Sequence, residues 1–357
     1  MRSTPSCLSE TGVARRATLW IQPYRSAIIM SIMSHIQTLA ELLKQAPDEV
    51  FLQPHNVPDP DAIAACFGLQ QLLAELDVPT VIVYEDEIEK ANSVSMLQAF
   101  GIEMKPASEV HTLGAEDWAV LVDVQKDNAN VTDLDTDEVA CIDHHQYNGP
   151  KGYKYEDVRP EVGSCSAIIA EYYKAADVEP SANAATAMLY GILMDTDNLT
   201  RGVSALDIDM FYRLYRHVDI SRINELKANQ ISTQDLQDYA HAFEGVEVYG
   251  EIGFLRLENA NDSLLGAASD IVVTIAGVNV VVSYSTREAG IKYSVRSVSP
   301  EVNAGALVRH IVEGHGIGGG HDSMAGGFIK RETMPPDRSI DTFTRVRAVG
   351  FVEGHTS

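Results

Sequence analysis

The sequence predicts an α/β protein with a mostly parallel sheet in its N-terminal domain and a smaller α/β domain after it. Short apolar runs alternate with helical patterns over the first part of the chain, which is typical of parallel βαβ units. Later the apolar runs crowd together, as in "SDIVVTIAGVNVVVSYSTREAGIKYSVRSV". The 357 residues are enough for about two domains.

The elements follow in order from Ser34. "SHIQTLAELLKQA" places Ile36, Leu39, Leu42 and Leu43 on one helical face, with Ser34 suited to be the N-cap. "EVFLQP" is predicted to be a strand, and a helix follows from Asp61. The next predicted strands are "TVIVYE", "DWAVLVDVQ" and "DEVACIDHH", and the helices after them are "SCSAIIAEYYKAA" and "ANAATAMLYGILMDT".

The change of pattern divides the chain into segments. We expect a first domain over 34–217, a helical linker over 218–245 and a second domain over 246–332, followed by a C-terminal tail over 333–357. Residues 1–33 are expected to be a disordered or non-native extension. Its arginine-rich start also resembles a transit peptide, but a non-native extension is favoured.

Composition excludes some classes of function. A formal net charge of −24 would repel a long polyanion, and no basic stripe is present, so a protein that tracks long duplex nucleic acid is excluded. The chain has no apolar run of about 18 residues, so no membrane association is expected. The cysteines Cys7, Cys66, Cys141 and Cys165 form no CxxC pair, which favours free thiols in the reducing cytoplasm.

Metal-ligating and proton-transferring side chains follow the predicted strands or close a helix. Because the carboxyl ends of parallel strands meet at one edge of a sheet, we expect these side chains to converge. Imidazole and carboxylate ligands suit Mn²⁺, Mg²⁺ or Co²⁺, and so many ligands fit two ions about 3.5–4 Å apart. Taken singly, each has a simpler explanation as a helix cap or a solvated loop residue. The residues are His55, Asp59, Asp61, Asp123, Asp143, His144, His145, Asp195 and Asp197.

The motifs "HNVPDPDAIAA", "LVDVQ", "CIDHHQ", "GILMDTDN" and "GIGGGHDSMAGG" occur in this order between about residues 34 and 332. Together they resemble the DHH phosphoesterase family with its DHH-associated C-terminal domain. Family-II inorganic pyrophosphatases share the N-terminal motifs but lack the glycine-rich one. The chain is most similar to stand-alone members of the NrnA type, which implies hydrolysis of short oligoribonucleotides, 3′-phosphoadenosine 5′-phosphate or linear and cyclic dinucleotides.

The resemblance implies a site that holds two divalent ions, with Mn²⁺ favoured and Mg²⁺ or Co²⁺ as alternatives. An active site in the cleft between the two domains is also implied. The implied ligands are His55 and Asp59 for one ion, Asp61, His144 and Asp195 for the other, and Asp123 as the bridge.

The resemblance also implies roles around the metals. His145 would face the scissile phosphate as a general acid or hydrogen-bond donor, and Asp143 would orient a histidine. Arg296 and His321 would contact the other phosphate of the substrate, together with a flexible loop containing Gly318, Gly319 and Gly320. Arg287 and Lys292 are expected to lie in a solvated hairpin instead.

Two motifs depart from the family pattern. Ala64 and Ala65 stand where the family usually has Gly-Ser, and Asp197 stands where it usually has glycine before an aromatic residue. Asp197 could therefore compete with Asp195 as a ligand, although Asp195 is favoured.

The expected activity is hydrolysis of short nucleotides by metal-activated water. A RecJ-like single-strand exonuclease and an inactive nucleotide-binding regulatory module are the alternatives. A short nucleotide or dinucleotide is the expected partner, and the assembly state stays open between a monomer and a homodimer.

Overall fold

The computed structural model describes residues 35–88, 90–128, 130–228, 233–334 and 339–355, apart from the side chains of 233–235 and 263. The expectations for the N-terminal extension, the Ser34 cap and Cys7 lie outside these ranges. The described chain divides into two compact units, one up to residue 228 and one from residue 233.

The first unit contains a six-stranded sheet in which all paired strands are parallel. The strands are short, and four of the six have apolar, buried central residues, as expected for a sheet covered on both faces. The strands are β1 (Val50–Gln53), β2 (Val81–Tyr84), β3 (Lys105–Pro106), β4 (Trp118–Val122), β5 (Asp137–Asp143) and β6 (Tyr155–Val158).

Helices of the first unit pack around this sheet and share its main core. The buried faces carry the apolar positions expected from the sequence, for example Ile36, Leu39 and Leu43 in the first helix. The helices are α1 (35–43), α2 (Pro60–Glu75), α3 (Ala91–Phe100), α4 (Cys165–Ala176), α5 (Ala182–Asp195), α6 (Ala205–Leu214) and α7 (Ile220–Lys227).

The strand order is β3-β2-β1-β4-β5-β6. The chain therefore moves outwards in opposite directions from β1 and β4, which lie side by side. Ligand sites of open α/β sheets form at such a reversal, beyond the carboxyl ends of the strands. His55 follows β1 and Asp123 follows β4, so the topology itself brings these two residues to the same crevice.

The second unit contains another six-stranded sheet, which is antiparallel except for one parallel pair. Its elements are α8 (Thr233–Glu244), β7 (Glu247–Tyr249), β8 (Ile252–Glu258), α9 (Asp262–Val272), β9 (Val280–Arg287), β10 (Gly290–Ser297), α10 (Ala304–Val312), β11 (Gly316–Gly320), β12 (Met324–Lys330) and α11 (Ile340–Glu353). The strand order is β11-β12-β10-β9-β8-β7.

The α/β class with a parallel sheet in the first unit is confirmed. Two predictions about the second unit were wrong. Residues 269–272, expected in the β-rich run, end helix α9, because Leu265, Ala268 and Val272 form its buried face. The expected tail contains α11, whose Phe343 packs into the core of the unit.

The prediction of a flexible glycine-rich loop was also wrong, because this segment forms the edge strand β11. A Cβ at Gly316 would collide with the Phe328 carbonyl of the neighbouring strand. Gly320 has φ 145°, and a Cβ there would lie 2.5 Å from the Met324 oxygen. Close pairing with β12 therefore accounts for glycine at both ends of the strand.

Within the described ranges, no helix is both long enough and apolar enough to cross a bilayer.

Candidate metal centre and active site

The site begins with the motif after β1. Asp59 is the N-cap of α2: its Oδ1 accepts hydrogen bonds from the backbone N–H of Asp61 at 3.0 Å and of Ala62 at 3.2 Å. Pro60 at the first helical position needs no such partner. The simpler explanation of Asp59 as a helix cap is therefore correct, but the cap involves only one carboxylate oxygen.

Asp61 lies within the first turn of α2 but caps a different helix. Its two carboxylate oxygens accept hydrogen bonds from the N–H groups of Cys165 at 2.7 Å and Ser166 at 3.0 Å, at the start of α4. Helix α5 passes so close that a Cβ at Gly191 would collide with Ser166 Oγ and lie 2.9 Å from Asp61 Oδ1. The glycine thus lets three helices meet around one buried carboxylate.

Asp123 lies at the centre of the cluster, and its conformation is unusual. It is 2% exposed and has φ 63°, a left-handed value that costs energy in a non-glycine residue. Its Oδ1 is buried and has no well-formed hydrogen bond; the nearest nitrogens are His144 Nε2 at 3.3 Å and His145 Nδ1 at 3.7 Å. A buried carboxylate oxygen without a donor is unfavourable unless a cation is its partner.

His144 joins Asp123 to the end of α5. Its Nδ1 lies 3.2 Å from the Val162 carbonyl, while its Nε2 lies 3.1 Å from Asp195 Oδ2. Donation from Nδ1 to a carbonyl leaves the Nε2 lone pair available as a ligand. Burial lowers the pKa of His144, but Asp123 and Asp195 raise it well above its ordinary value. A divalent cation at this point would compete with that proton.

The structure brings the predicted ligands into three overlapping groups. Within each group, the ligand atoms lie within 4.8 Å of one another. Asp123 is shared by two groups and His144 by two, and His55 Nε2 lies 4.0 Å from Asp123 Oδ2. The groups are His55 with Asp59 and Asp123; Asp61 with His144 and Asp195; and Asp123 with His144 and His145.

Burial and neighbouring carboxylates raise the pKa of two aspartates of the cluster, Asp61 and Asp123. Burial raises the pKa of Asp61 well above its ordinary value, and the charges of Asp123 and Asp195 raise it further. Burial also raises the pKa of Asp123, although His144 opposes the rise. Such groups are the ones that bound cations would stabilise in their ionised form.

His145 has different surroundings from its neighbour. Its Nδ1 lies 2.8 Å from Oδ1 of Asp143, which is fully buried. Burial lowers the pKa of His145, but the hydrogen bond to Asp143 and the charge of Asp123 raise it to about 9. Burial raises the pKa of Asp143, and the hydrogen bonds from His145 and Gln125 lower it below its ordinary value. Asp143 therefore stays ionised and fixes the orientation of the His145 ring.

Two polar residues of the site, Gln125 and Arg201, were missed by sequence reasoning. Gln125 is buried, and its Nε2 donates to Asp143 Oδ2 at 2.6 Å and to the Gln146 carbonyl at 3.1 Å. Arg201 Nη2 donates to the Asp195 carbonyl at 3.1 Å. The position of Gln125 two residues after Asp123 was visible in the sequence, but no pattern indicated its partner.

Asp195, rather than Asp197, lies beside His144. Asp197 is exposed, belongs to none of the ligand groups, and begins a left-handed turn with φ 47°. The turn continues through Asn198 and Leu199, with φ 58° and 65°. Glycine is favoured at such φ values, so aspartate at the first position costs conformational energy.

In the second unit, Arg296 is 9% exposed, and its Nε donates to Asp270 Oδ1 at 2.5 Å. Its Nη1 donates to Ser294 Oγ at 3.0 Å. The guanidinium is thus held rigidly but already has an acidic partner. His321 is exposed and directly follows β11, which contains Gly318, Gly319 and Gly320.

Arg287 and Lys292, expected in a solvated hairpin, lie on the adjacent strands β9 and β10. Both contact Asp262, at 2.7 Å and 3.0 Å. Their side chains are only 26% and 33% exposed, so an ion pair at the start of α9 describes them better than free solvation.

The residues present fit divalent metal ions. The donor set is imidazole and carboxylate, which suits hard or borderline cations, and the central carboxylate oxygen of Asp123 is buried without a hydrogen bond. His55, Asp59, Asp123, Asp61, His144 and Asp195 are the residues that could hold them.

Comparison with known proteins agrees with this geometry. The model of the DHH family, N-terminal domain, matches residues 49–192, and the model of the DHHA1 domain matches residues 250–343. An uncharacterized protein of Methanocaldococcus jannaschii, MJ1633, is 29% identical over 80% of this chain, which spans 58% of that protein. The bifunctional oligoribonuclease and PAP phosphatase NrnA of Thermus thermophilus is 25% identical over 83% of this chain and 88% of its own length.

Among solved structures, an exopolyphosphatase-related protein from Bacteroides fragilis has the same fold. The TM-score is 0.74 at 17% identity, with 91% of this chain and 98% of that chain covered. The order of the two family models along the chain agrees with the order of the motifs. The chain therefore belongs to the DHH family of phosphoesterases and carries a DHHA1 domain after its DHH domain.

Proposed function

We propose that this protein hydrolyses phosphoester bonds of short nucleotides with the help of two divalent ions. The observation that carries the proposal is the position of Asp123, which belongs both to a group with His55 and Asp59 and to a group with His144. A carboxylate shared in this way is the usual bridge of a two-metal site.

The ligands would divide between two ions. His55 and Asp59 would hold one, through the Asp59 oxygen that does not cap α2, and Asp61, His144 and Asp195 would hold the other. Two such ions, of which Mn²⁺ is our first choice, would supply an activated water and neutralise charge on the phosphoryl oxygens.

His145 is our candidate proton donor to the leaving oxygen. Its Nδ1 is held by Asp143, so its orientation is fixed, and its side chain is 39% exposed. A pKa of about 9 keeps the imidazolium protonated at neutral pH in the absence of cations, as a general acid requires.

The net charge of the chain and the name of one relative both favour short substrates. The net charge of −24 opposes the approach of a long polyanion, and the relative from Thermus thermophilus is named as an oligoribonuclease and PAP phosphatase. Arg296 and His321 remain our candidates for contact with a second phosphate of the substrate.

We also propose that the protein works in a reducing compartment such as the cytoplasm. Cys66, Cys141 and Cys165 are free and buried. Burial raises the pKa of all three thiols, which disfavours reactive thiolates.

The proposal is tested by a substrate panel with Mn²⁺. Dinucleotides, 3′-phosphoadenosine 5′-phosphate and cyclic di-AMP would be compared for release of product by the wild type and by Asp123→Ala. We expect at least one of these to be hydrolysed by the wild type alone. Failure to hydrolyse any of them with Mn²⁺, Mg²⁺ or Co²⁺ would contradict the proposal and favour a nucleotide-binding module.

A further inference from the structure

The turn after α5 has an unusual backbone. Asp197, Asn198 and Leu199 have φ values of 47°, 58° and 65°, so three consecutive residues other than glycine are left-handed. This conformation costs energy in such residues and persists where neighbouring structure enforces it, often at functional sites. The turn is therefore held in a conformation that its own residues disfavour.

The buried residue Thr196 holds the turn closed. Its carbonyl accepts hydrogen bonds from the backbone N–H of Thr200 at 2.9 Å and of Arg201 at 2.8 Å. Its Oγ1 accepts another from the N–H of Leu199 at 3.2 Å. These bonds bring residue 201 back beside Asp195, one of the candidate metal ligands.

The guanidinium of Arg201 lies against the end of α5 as a result. Its Nη2 donates to the Asp195 carbonyl at 3.1 Å, and the side chain is only partly buried. Within the described ranges the guanidinium has no other hydrogen bond and no ion pair. A guanidinium has five N–H groups, so most of them are available to a ligand.

A single carbonyl does not explain the charge of Arg201, because a neutral amide could donate the same hydrogen bond. The charge does act on the candidate ligands. Burial raises the pKa of Asp195, but His144, His145 and Arg201 lower it below its ordinary value. A guanidinium beside a site suited to divalent cations is repelled by them unless an anion binds between them. The position of Arg201 therefore indicates an anionic ligand.

Other basic residues of the first unit already have acidic partners. Three of them follow β4, β5 and β6, and each contacts a carboxylate at 3.0 Å or less. The three are Lys126, Lys151 and Arg159, paired with Glu138, Asp127 and Asp157 in that order. Arg201 differs from them because it has no such partner in the part of the chain that the structure describes.

We propose that Arg201 is a catalytic residue that donates hydrogen bonds to nonbridging oxygens of the scissile phosphoryl group. This role rests on the proposed function, since that phosphoryl group would bind at the ligand group that contains Asp195. Water forms the new P–O bond and loses a proton to solvent, while the leaving oxygen takes the proton of His145. Negative charge builds up on the nonbridging oxygens meanwhile, and a planar guanidinium can donate to two of them at once.

Arg201→Gln tests this role, because the glutamine amide can still donate to the Asp195 carbonyl but carries no charge. With the best substrate of the panel and saturating Mn²⁺, kcat should fall at least about 10²-fold, as for loss of one such donor. KM should stay close to the wild-type value, because the interaction strengthens in the transition state. Arg201→Lys, which restores the charge without the planar fork, should recover part of the rate.

Mn²⁺ binding and a matched arginine provide the controls. Calorimetry should show wild-type Mn²⁺ binding in Arg201→Gln and Arg201→Lys. Arg222 Nη1 also donates to a backbone carbonyl, that of Ala99 at 3.1 Å, but belongs to no candidate ligand group. Arg222→Gln should therefore keep the wild-type kcat.

Several results would overturn the role of Arg201. These are a wild-type kcat in Arg201→Gln, equal rates in the glutamine and lysine variants, a raised KM with unchanged kcat, or an equal loss in Arg222→Gln. Loss of bound Mn²⁺ in Arg201→Gln would make the residue a support of Asp195 instead. If the wild type hydrolysed no nucleotide of the panel, the proposed function itself would fall, and the role of Arg201 with it.

Discussion

Nδ1 of His145 lies 2.8 Å from Oδ1 of Asp143, whereas His144, one residue earlier, turns Nε2 to within 3.1 Å of Asp195. Two adjacent histidines therefore have different partners: one faces the proposed metals, and the other is oriented by a buried carboxylate. The same substitution at the two positions should have different effects.

His144→Ala should lose bound metal together with turnover, because His144 belongs to two of the ligand groups. His145→Ala should keep the metal content and lose about 10²–10⁴-fold in kcat, the usual range for a general acid. Metal analysis of the purified variants and initial rates with a dinucleotide would check both. Equal metal content in the two variants would contradict this division of roles.

Gln125 should act through Asp143. Removing its amide in Gln125→Ala leaves Asp143 Oδ2 without its 2.6 Å donor, and we expect kcat to fall about tenfold, since a hydrogen bond to a charged group contributes about 1.5 kcal/mol or more. Gln70→Ala is the control, because that amide donates to the Thr80 carbonyl instead. Equal kcat values for the two variants would show that Gln125 does not support His145.

A buried ion pair beside β6 should matter for stability. Asp157 accepts from Arg159 Nε at 2.7 Å and Nη2 at 2.8 Å, and its side chain is 6% exposed. Asp157→Asn should lower the free energy of unfolding by about 1.5–3 kcal/mol, because Arg159 keeps Glu171 as a charged partner but loses its charge-assisted hydrogen bonds to Asp157. Urea denaturation followed by circular dichroism gives this value.

The surface pair Asp137–Lys154 provides the comparison for Asp157. Its side chains are 52% and 46% exposed, so Asp137→Asn should cost less than about 1 kcal/mol. If the two asparagine variants were equally stable, the network around Arg159 would not contribute as its burial suggests.

Substrate length separates a short-nucleotide hydrolase from a processive exonuclease. With a net charge of −24, kcat/KM should fall once the RNA exceeds about five nucleotides, roughly what a small site holds. The measurement uses 5′-labelled RNAs from dimers to about 24 nucleotides at fixed salt, because charge effects depend on ionic strength. Efficiency that stays level or rises with length would favour the exonuclease alternative.

The sequence predicted the convergence of His55, Asp123 and His144, because parallel strands place their carboxyl ends at one edge. It could not predict that Asp61 caps α4, since its partner Cys165 is 104 residues away in the chain. The same limit applies to Gln125, whose bond to Asp143 depends on how two loops meet.

The second unit was less predictable for a different reason. The glycines in 316–320 suggested a flexible loop. In the structure, their lack of side chains allows β11 to pair closely with β12. The helix α11 mixes charged and apolar residues, so the buried positions of Phe343 and Val352 became visible only in the folded chain.

Metal stoichiometry measured together with turnover tests the central claim most directly. Metal-free wild type would be titrated with Mn²⁺ by calorimetry while hydrolysis of the best substrate is followed, in parallel with Asp123→Ala. We expect two Mn²⁺ per chain, activity that returns with metal after EDTA treatment, and loss of both in Asp123→Ala. Full turnover by demonstrably metal-free enzyme, or wild-type metal content and rate in Asp123→Ala, would contradict the two-metal account.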